Sequence, residues 1–238
     1  MPVSVKDQIV LVVGASSGIG RATAALFARE GALVTASARR QDRLDGLHKE
    51  LPAIDVVAAD AGQPADMEKL AQQVLAKHGR IDILVHSAGT NIKDRALTRL
   101  TPQLWDMMVT VNLNSAFYIT QAILPSMRER GAGHLIYVSS ISGLVPDVSG
   151  AAYQAAKRGL LGFAHAIRVE EKEHGIRTCV ICPGLVDTEI LENRPVKPAP
   201  ETLAKALQPE DVAEAALAIA QLPPRAAVPE LQLLPTAL

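Results

Sequence analysis

The stretch Ile9-Val10-Leu11-Val12-Val13-Gly14-Ala15-Ser16-Ser17-Gly18-Ile19-Gly20 decides how the rest of the chain is read. An unbroken apolar run from Ile9 to Val13 predicts a strand covered on both faces, the mark of a parallel sheet. The glycines that follow, spaced Gly14-x-x-x-Gly18-x-Gly20, let a backbone turn sharply and approach a ligand closely. A helix starting there aims free N–H groups and the positive end of its dipole at the turn, which suits a phosphate. The spacing is not the commoner G-x-G-x-x-G, and a plain strand-to-helix turn uses similar residues. Its place directly after the first strand of a β-α-β unit favours the phosphate reading.

Working outward, short apolar runs alternate with longer helical stretches. Strands are expected at 9–13, 33–37, 55–58, 81–86, 134–139 and 176–181, and helices at 20–29, 41–51, 65–78, 102–130 and 152–174. A last helix at 209–221 leads to a tail, 227–234, whose Pro229 marks an edge strand. This alternation predicts an α/β fold, a doubly wound parallel sheet of about seven strands with helices on both faces. No repeat or Gly/Ser-rich linker divides the chain, so 1–238 reads as a single domain. Three prolines within 194–200 mark a loop or lid in a substrate segment expected around 187–205.

The composition narrows the function. The 238 residues are 48% hydrophobic and 21% charged, enough apolar material for a core. Aromatics are only 3%, too few for a base-stacking platform. Lys and Arg total 24 against 25 Asp and Glu, so no basic field draws nucleic acid or an anionic membrane. No apolar run is long enough to span a bilayer, and the N-terminal region lacks a secretory pattern. A cytoplasmic protein is expected. Cys179-x-x-Cys182 lies on a predicted strand, where residues three apart face opposite ways, so it reads as two core thiols and not as a metal site. No metal is expected.

In open α/β sheets, ligands bind beyond the carboxyl ends of the strands. Small and polar residues follow four of the strands: Gly14–Gly20, then His86-Ser87-Ala88-Gly89, then Ser139-Ser140-Ile141-Ser142-Gly143, then Cys182-Pro183-Gly184-Leu185-Val186-Asp187-Thr188. All converge on one edge of the sheet. Tyr153 and Lys157, four apart on a predicted helix, share a face. A nearby ammonium is expected to draw down the phenol pKa and fit Tyr153 for general acid catalysis. A surface tyrosine beside a solvated lysine would have the same spacing.

Together, Gly14-x-x-x-Gly18-Ile19-Gly20, Asn112, Ser140 and Tyr153-x-x-x-Lys157 resemble the short-chain dehydrogenase/reductase family over essentially the whole chain. Asp60, Ala88-Gly89 and Pro183-Gly184 with Thr188 fit the same pattern. The resemblance implies a Rossmann-type fold, with Tyr153 as proton donor or acceptor and Ser140 holding the substrate oxygen. It further implies that Lys157 lowers the Tyr153 pKa and bonds the nicotinamide ribose, and that Asn112 holds a water of a proton relay. The implied cofactor contacts are Gly14, Ser16, Ser17, Gly18, Ile19, Gly20, Ser37, Arg39, Arg40, Asp60, Ala61, Ser87, Ala88, Gly89, Tyr153, Lys157, Pro183, Gly184, Val186 and Thr188. The family's Asn-Asn-Ala-Gly reads His86-Ser87-Ala88-Gly89 here, with His86 taken as a structural residue at a strand end.

No acid lies between Gly31 and Asp42 to hold the ribose hydroxyls of NAD. Ala38 stands in that place and Arg39 and Arg40 follow, which favours a 2′-phosphate and hence NADP(H) over NAD(H). The substrate contacts expected are Ser140, Ser142, Leu144, Tyr153 and Leu185, with Val145, Pro146 and the segment 189–200 completing a mainly apolar wall. Arg194 and Lys197 could reach an acidic substrate, but they read first as exposed loop charges. The expected reaction interconverts a carbonyl with a secondary or primary alcohol. A 3-oxoacyl-thioester reductase and a catalytically silent nicotinamide-binding sensor are the alternatives. By resemblance, the helices at 102–130 and 152–174 pair across two-folds, giving a homotetramer or homodimer.

Overall fold

The computed structural model describes residues 2–237. Met1 and Leu238, the ends of the expected domain, lie outside the described residues. Seven strands form one parallel sheet: β1 (Ile9–Val13), β2 (Leu33–Ala38), β3 (Asp55–Ala58), β4 (Ile83–His86), β5 (Gly133–Val138), β6 (Ile176–Pro183) and β7 (Glu230–Leu233). Their spatial order is β3-β2-β1-β4-β5-β6-β7. The chain therefore reverses direction across the sheet between β1 and β4, where Val13 pairs with Ser37 on one side and His86 on the other. Such a switch opens a crevice at the carboxyl edge.

The strands read as unbroken apolar runs because each face has its own cover. Val10, Val12 and Ile181 pack with Phe27 of α1 (Gly18–Arg29), Leu44 and Leu47 of α2 (Gln41–Glu50). On the opposite face, Leu11, Val13 and Tyr137 pack with Leu70 of α3 (Pro64–His78). Cys179 belongs to the first cluster and Cys182 to the second, as strand alternation requires. Burying a side chain such as Leu11 or Phe27 contributes roughly 1.5–3 kcal/mol.

Several expected bounds differ: the helix expected at 152–174 ends at Glu170, with a 3₁₀ turn at Lys172–His174, and two other differences bear on the cleft. The fourth strand begins at Ile83 and not at residue 81: the Asp82 backbone still bonds Ile9 O and His134 N, but its side-chain carboxylate, not a further backbone carbonyl, accepts the Ile9 N–H at 2.7 Å. The expected helix at 102–130 is α4 (Pro102–Val109), a π-turn at Thr110–Asn114, and α5 (Ser115–Arg130). Thr101 caps α4 by accepting the Leu104 N–H, and the widened turn carries Asn112 inward. After α6 (Ala151–Glu170) and β6, the segment following the sheet edge forms a 3₁₀ turn at Glu189–Asn193, then α7 (Pro200–Leu203) and α8 (Pro209–Ala220). The base of this segment is pinned, since Leu207 donates to Leu185 O at 2.9 Å and accepts from Asp187 N at 2.8 Å. No described helix is long and apolar enough to cross a membrane.

Candidate active site

A cleft of about 580 Å³ runs along the carboxyl edge of the sheet. Its floor is the close approach of two strand ends. Gly14 has φ +90°, and a Cβ there would lie 2.5 Å from Ala88 N, so only glycine lets β1 and β4 release their loops this close together. Ser17 precedes α1 without using its side chain as a cap. Its hydroxyl instead accepts from Arg40 at 2.8 Å, and Ser16 accepts from the same guanidinium at 3.0 Å.

Most of the residues expected to hold a cofactor line this cleft: Gly14, Ser16, Ser17, Gly18, Ile19, Arg39, Arg40, Asp60, Ala61, Ser87, Ala88, Gly89, Tyr153, Lys157, Pro183, Gly184, Val186 and Thr188. Four expected site residues are not on its wall. Gly20 packs beneath the turn, where a Cβ would meet Gly14 O at 2.2 Å. Ser37 is fully buried, and its backbone carbonyl, not its hydroxyl, holds the turn by accepting from Gly14 N and Ala15 N. Asn112 lies behind Gly89. Leu144 is displaced by the 3₁₀ turn at Ile141–Gly143, which carries Ser142 to the cleft.

The same cleft gathers Ser140, Tyr153 and Lys157. The two neighbouring serines divide the work. Ser139 turns back to donate to Lys157 O at 3.0 Å, while Ser140 is half-buried and donates to Ser142 at 3.1 Å. Lys157 is buried and its ammonium donates to Val138 O at 3.0 Å, its one side-chain hydrogen bond among the described residues. The other two donors of its ammonium have no acceptor there. Asn112 Oδ1 accepts from Thr90 N, and its amide donates to Thr90 O and Met108 O. Asn112 Oδ1 and Lys157 Nζ converge on Gly89, where a Cβ would come within 3.1 and 3.3 Å of them.

The expected lowering of the Tyr153 pKa does not hold here. Burial pushes the phenol up to about 12, offset in part by the neighbouring Ser140 hydroxyl. Lys157 Nζ stands 5.7 Å from the centre of the Tyr153 ring. Its own burial draws it down from 10.5 to about 8. Desolvation, with the Asp147 carboxylate adding to it, outweighs the Ser140 hydroxyl and the nearby Arg194 and Arg95 charges.

His86, in the family's asparagine position, is fully buried. Ser115 Oγ donates to Val111 O at 2.8 Å, so at 2.9 Å from His86 Nε2 it accepts, which fixes the imidazole as the Nε2–H tautomer. Burial first, and Lys157 second, lower the His86 pKa to about 3, so it stays neutral.

The wall expected to meet a substrate differs in its lining. Leu185 lines it, with Ile190 and Leu191, but Val145 and Pro146 do not. Much of it is polar: Asn91, Arg95, Ser142, Asp147, Ser149, Asn193 and Arg194. Arg194 is half-buried in this wall, not a solvated loop charge, whereas exposed Lys197 pairs with Glu192. Asn91 and Arg95 lie in the loop after β4, beyond the Ala88-Gly89 pair at which the sequence pattern ends. The rule that strand ends carry ligand contacts, applied a few residues further, would have reached them.

Residues 8–198 match the short chain dehydrogenase family. The chain belongs to the short-chain dehydrogenase/reductase family. As a short-chain dehydrogenase/reductase, it is 34% identical over 225 residues to the 3-oxoacyl-[acyl-carrier-protein] reductase FabG of Thermotoga maritima, covering 90% of this chain and 91% of that one. Among solved structures, a closed form of serine dehydrogenase complexed with NADP+ superposes with TM-score 0.87 at 32% identity, covering 95% of this chain and 94% of the other. A metagenomic short-chain oxidoreductase in complex with NADP gives TM-score 0.85 at 30% identity, covering 99% and 100%. These neighbours share the seven-stranded Rossmann-type sheet with this short-chain dehydrogenase/reductase.

Proposed function

We propose that this oxidoreductase uses NADP(H) to interconvert a carbonyl and a secondary or primary alcohol. The observation that carries the reading is one cleft with two arginines at one end and Tyr153, Ser140 and Lys157 at the other. The residues present fit a dinucleotide. Gly14 lets the loops after β1 and β4 close into the cleft floor, Gly89 leaves room for Asn112 Oδ1 and Lys157 Nζ, and Lys157 keeps two ammonium donors free for ribose hydroxyls. Arg39 and Arg40 would take the 2′-phosphate, with Arg40 supplying from the end of β2 a guanidinium that the glycine turn itself lacks. Asp60 and Ala61 would border the adenine, and Pro183, Gly184, Val186 and Thr188 the nicotinamide side.

When bound, the nicotinamide supplies or takes the hydride. The chain's own residues manage the oxygen and the proton. Ser140 donates a hydrogen bond to the substrate oxygen and positions it. Tyr153, held protonated by burial, gives its proton to that oxygen as it gains charge, and takes it back in the reverse direction. The Lys157 ammonium steadies the phenolate left behind. Asn112 would hold a water for the relay through its carbonyl oxygen, since both amide hydrogens are engaged.

The likeness to the Thermotoga reductase supports a second reading, reduction of a 3-oxoacyl thioester. A silent sensor is disfavoured, because binding alone has no need of the tyrosine and serine. A homotetramer or homodimer would cover Trp105, Phe117 and Val169, apolar side chains exposed on α4, α5 and α6. We assign the protein to the cytoplasm, in keeping with its two buried free thiols. The test is absorbance-monitored oxidation of NADPH, with NADH in parallel, across ketones, aldehydes and 3-oxoacyl thioesters. Turnover with NADPH on a carbonyl subset is expected. Cofactor binding with no turnover on any of them would favour the sensor instead.

A further inference from the structure

Two guanidinium groups at the reacting end of the cleft make no ion pair among the described residues. Arg95 is 9% exposed and is held by carbonyls alone: its Nε donates to Ile92 O at 2.9 Å and another nitrogen to Asn193 O. Arg194 follows Asn193 in the chain and is half-buried in the same wall. Among the described residues, neither has a carboxylate within ion-pairing distance. Carbonyls satisfy donors but leave the charge uncompensated, which a protein interior tolerates poorly.

The position of Arg95 is built in. Its stem rests on Gly150, three residues before Tyr153. A Cβ on Gly150 would come within 2.8 Å of Arg95 Cβ, and the φ of +89° there also favours glycine. The anionic group facing the pair is Asp147. Its carboxylate is engaged, accepting from the Ser149 N–H at 2.8 Å, the Ser149 hydroxyl at 3.0 Å and the Ser142 hydroxyl. Two arginines and one aspartate leave a local charge of about +1, which matches a carboxylate better than a dianionic phosphate. Desolvation and the neighbouring Arg194 both lower the Arg95 pKa from 12.5, in keeping with a cation short of a partner.

We propose that Arg95 and Arg194 form a carboxylate subsite beside the reacting oxygen, and that the substrate is a short oxo acid or its hydroxy acid. The proposal rests on the carbonyl–alcohol reading and narrows it. Its balance is that of the parent reaction: the oxo group gains a hydride at carbon and a proton at oxygen, the nicotinamide is oxidised, and the carboxylate is unchanged.

The test uses 2-, 3- and 4-oxo acids, each paired with its methyl ester, with a carbonyl phosphate and a 3-oxoacyl thioester alongside, and NADPH or NADH. At least one acid is expected to exceed its ester in kcat/KM by about tenfold or more, chiefly through KM. Arg194→Gln should cut that acid-to-ester ratio by about ten- to hundredfold. Because Arg95→Gln could loosen its loop, Arg95→Lys is the second variant, expected to reduce the ratio less than Arg194→Gln. A readout independent of turnover is calorimetric titration of the NADP+ complex with malonate, succinate and glutarate. Wild type should bind at least one of them and Arg194→Gln should not. Esters matching acids at every length, an unchanged ratio in Arg194→Gln, or preference for the thioester or the phosphate would overturn the subsite and leave the oxidoreductase reading standing. No turnover of any carbonyl with either cofactor would overturn that reading, and this proposal with it.

Discussion

Arg40 and Glu189 close one mouth of the cleft. The guanidinium at the end of β2 meets the carboxylate of the 3₁₀ turn after β6 at 2.9 Å while also holding Ser16 and Ser17. Arg43 approaches the same carboxylate at 3.5 Å. Glu189 thus occupies an arginine assigned to the 2′-phosphate, and its own pKa is lowered by that contact. Removing the competing charge with Glu189→Gln should tighten NADPH binding by about two- to fivefold, the scale of an exposed ion pair, and leave NADH unchanged. Fluorescence titration of both cofactors checks this, and equal changes for the two would count against a competition for the phosphate.

Arg39 is exposed and makes no side-chain hydrogen bond or ion pair among the described residues, so its charge is free for a ligand. Arg39→Ala should weaken NADPH by at least about tenfold and NADH by less than about threefold. The same titration decides it. A parallel loss for both cofactors would assign the arginine a structural part.

Tyr153 carries a pKa near 12, so the phenol is protonated at neutral pH and ready to donate in reduction. Oxidation needs the phenolate, whose fraction grows about tenfold per pH unit below that value. Alcohol oxidation should therefore quicken from pH 7 to 9 while carbonyl reduction gains nothing from the tyrosine over that range. Tyr153→Phe should keep cofactor affinity and lose turnover by at least about a hundredfold. Near-normal turnover in that variant would remove the role given to the phenol.

Lys157 is a buried cation whose pKa falls from 10.5 to about 8 on folding. Below pH 8 both native and unfolded chains hold the proton, and the native state bears the burial of the charge. Between pH 8 and 10.5 the unfolded chain holds more protons, so native stability rises with pH across that window. The ceiling is roughly 3 kcal/mol, reduced by the hydrogen bond to Val138 O. Lys157→Met should be more stable than wild type at pH 7, with the gap closing by pH 10.5 and activity lost. Denaturant melts at several pH values measure it.

His86 depends on Ser115 for its one side-chain hydrogen bond. Ser115→Ala leaves the Nε2–H buried without an acceptor, at a cost of about 1–3 kcal/mol. A lower melting temperature with unchanged cofactor affinity is expected. Reduced affinity without destabilisation would instead tie His86 to the binding surface.

The sequence by itself determined the sheet, its layers and the glycine turn. Runs such as 9–13 and 176–181 carry a local signal that two-sided burial requires, and the spacing of Tyr153 and Lys157 sets a shared helix face whatever surrounds it. It also separated Cys179 from Cys182, because strand alternation is a local geometric rule. The balance at Tyr153 lay beyond it: whether burial or a nearby ammonium prevails depends on a distance and on the walls of the cleft. Only the tertiary structure joined Arg40 to Glu189, 149 positions apart, and seated Arg95 on Gly150 beside Arg194. Those contacts bring together loops from different strand ends, and no periodicity within any one loop encodes where the others will stand.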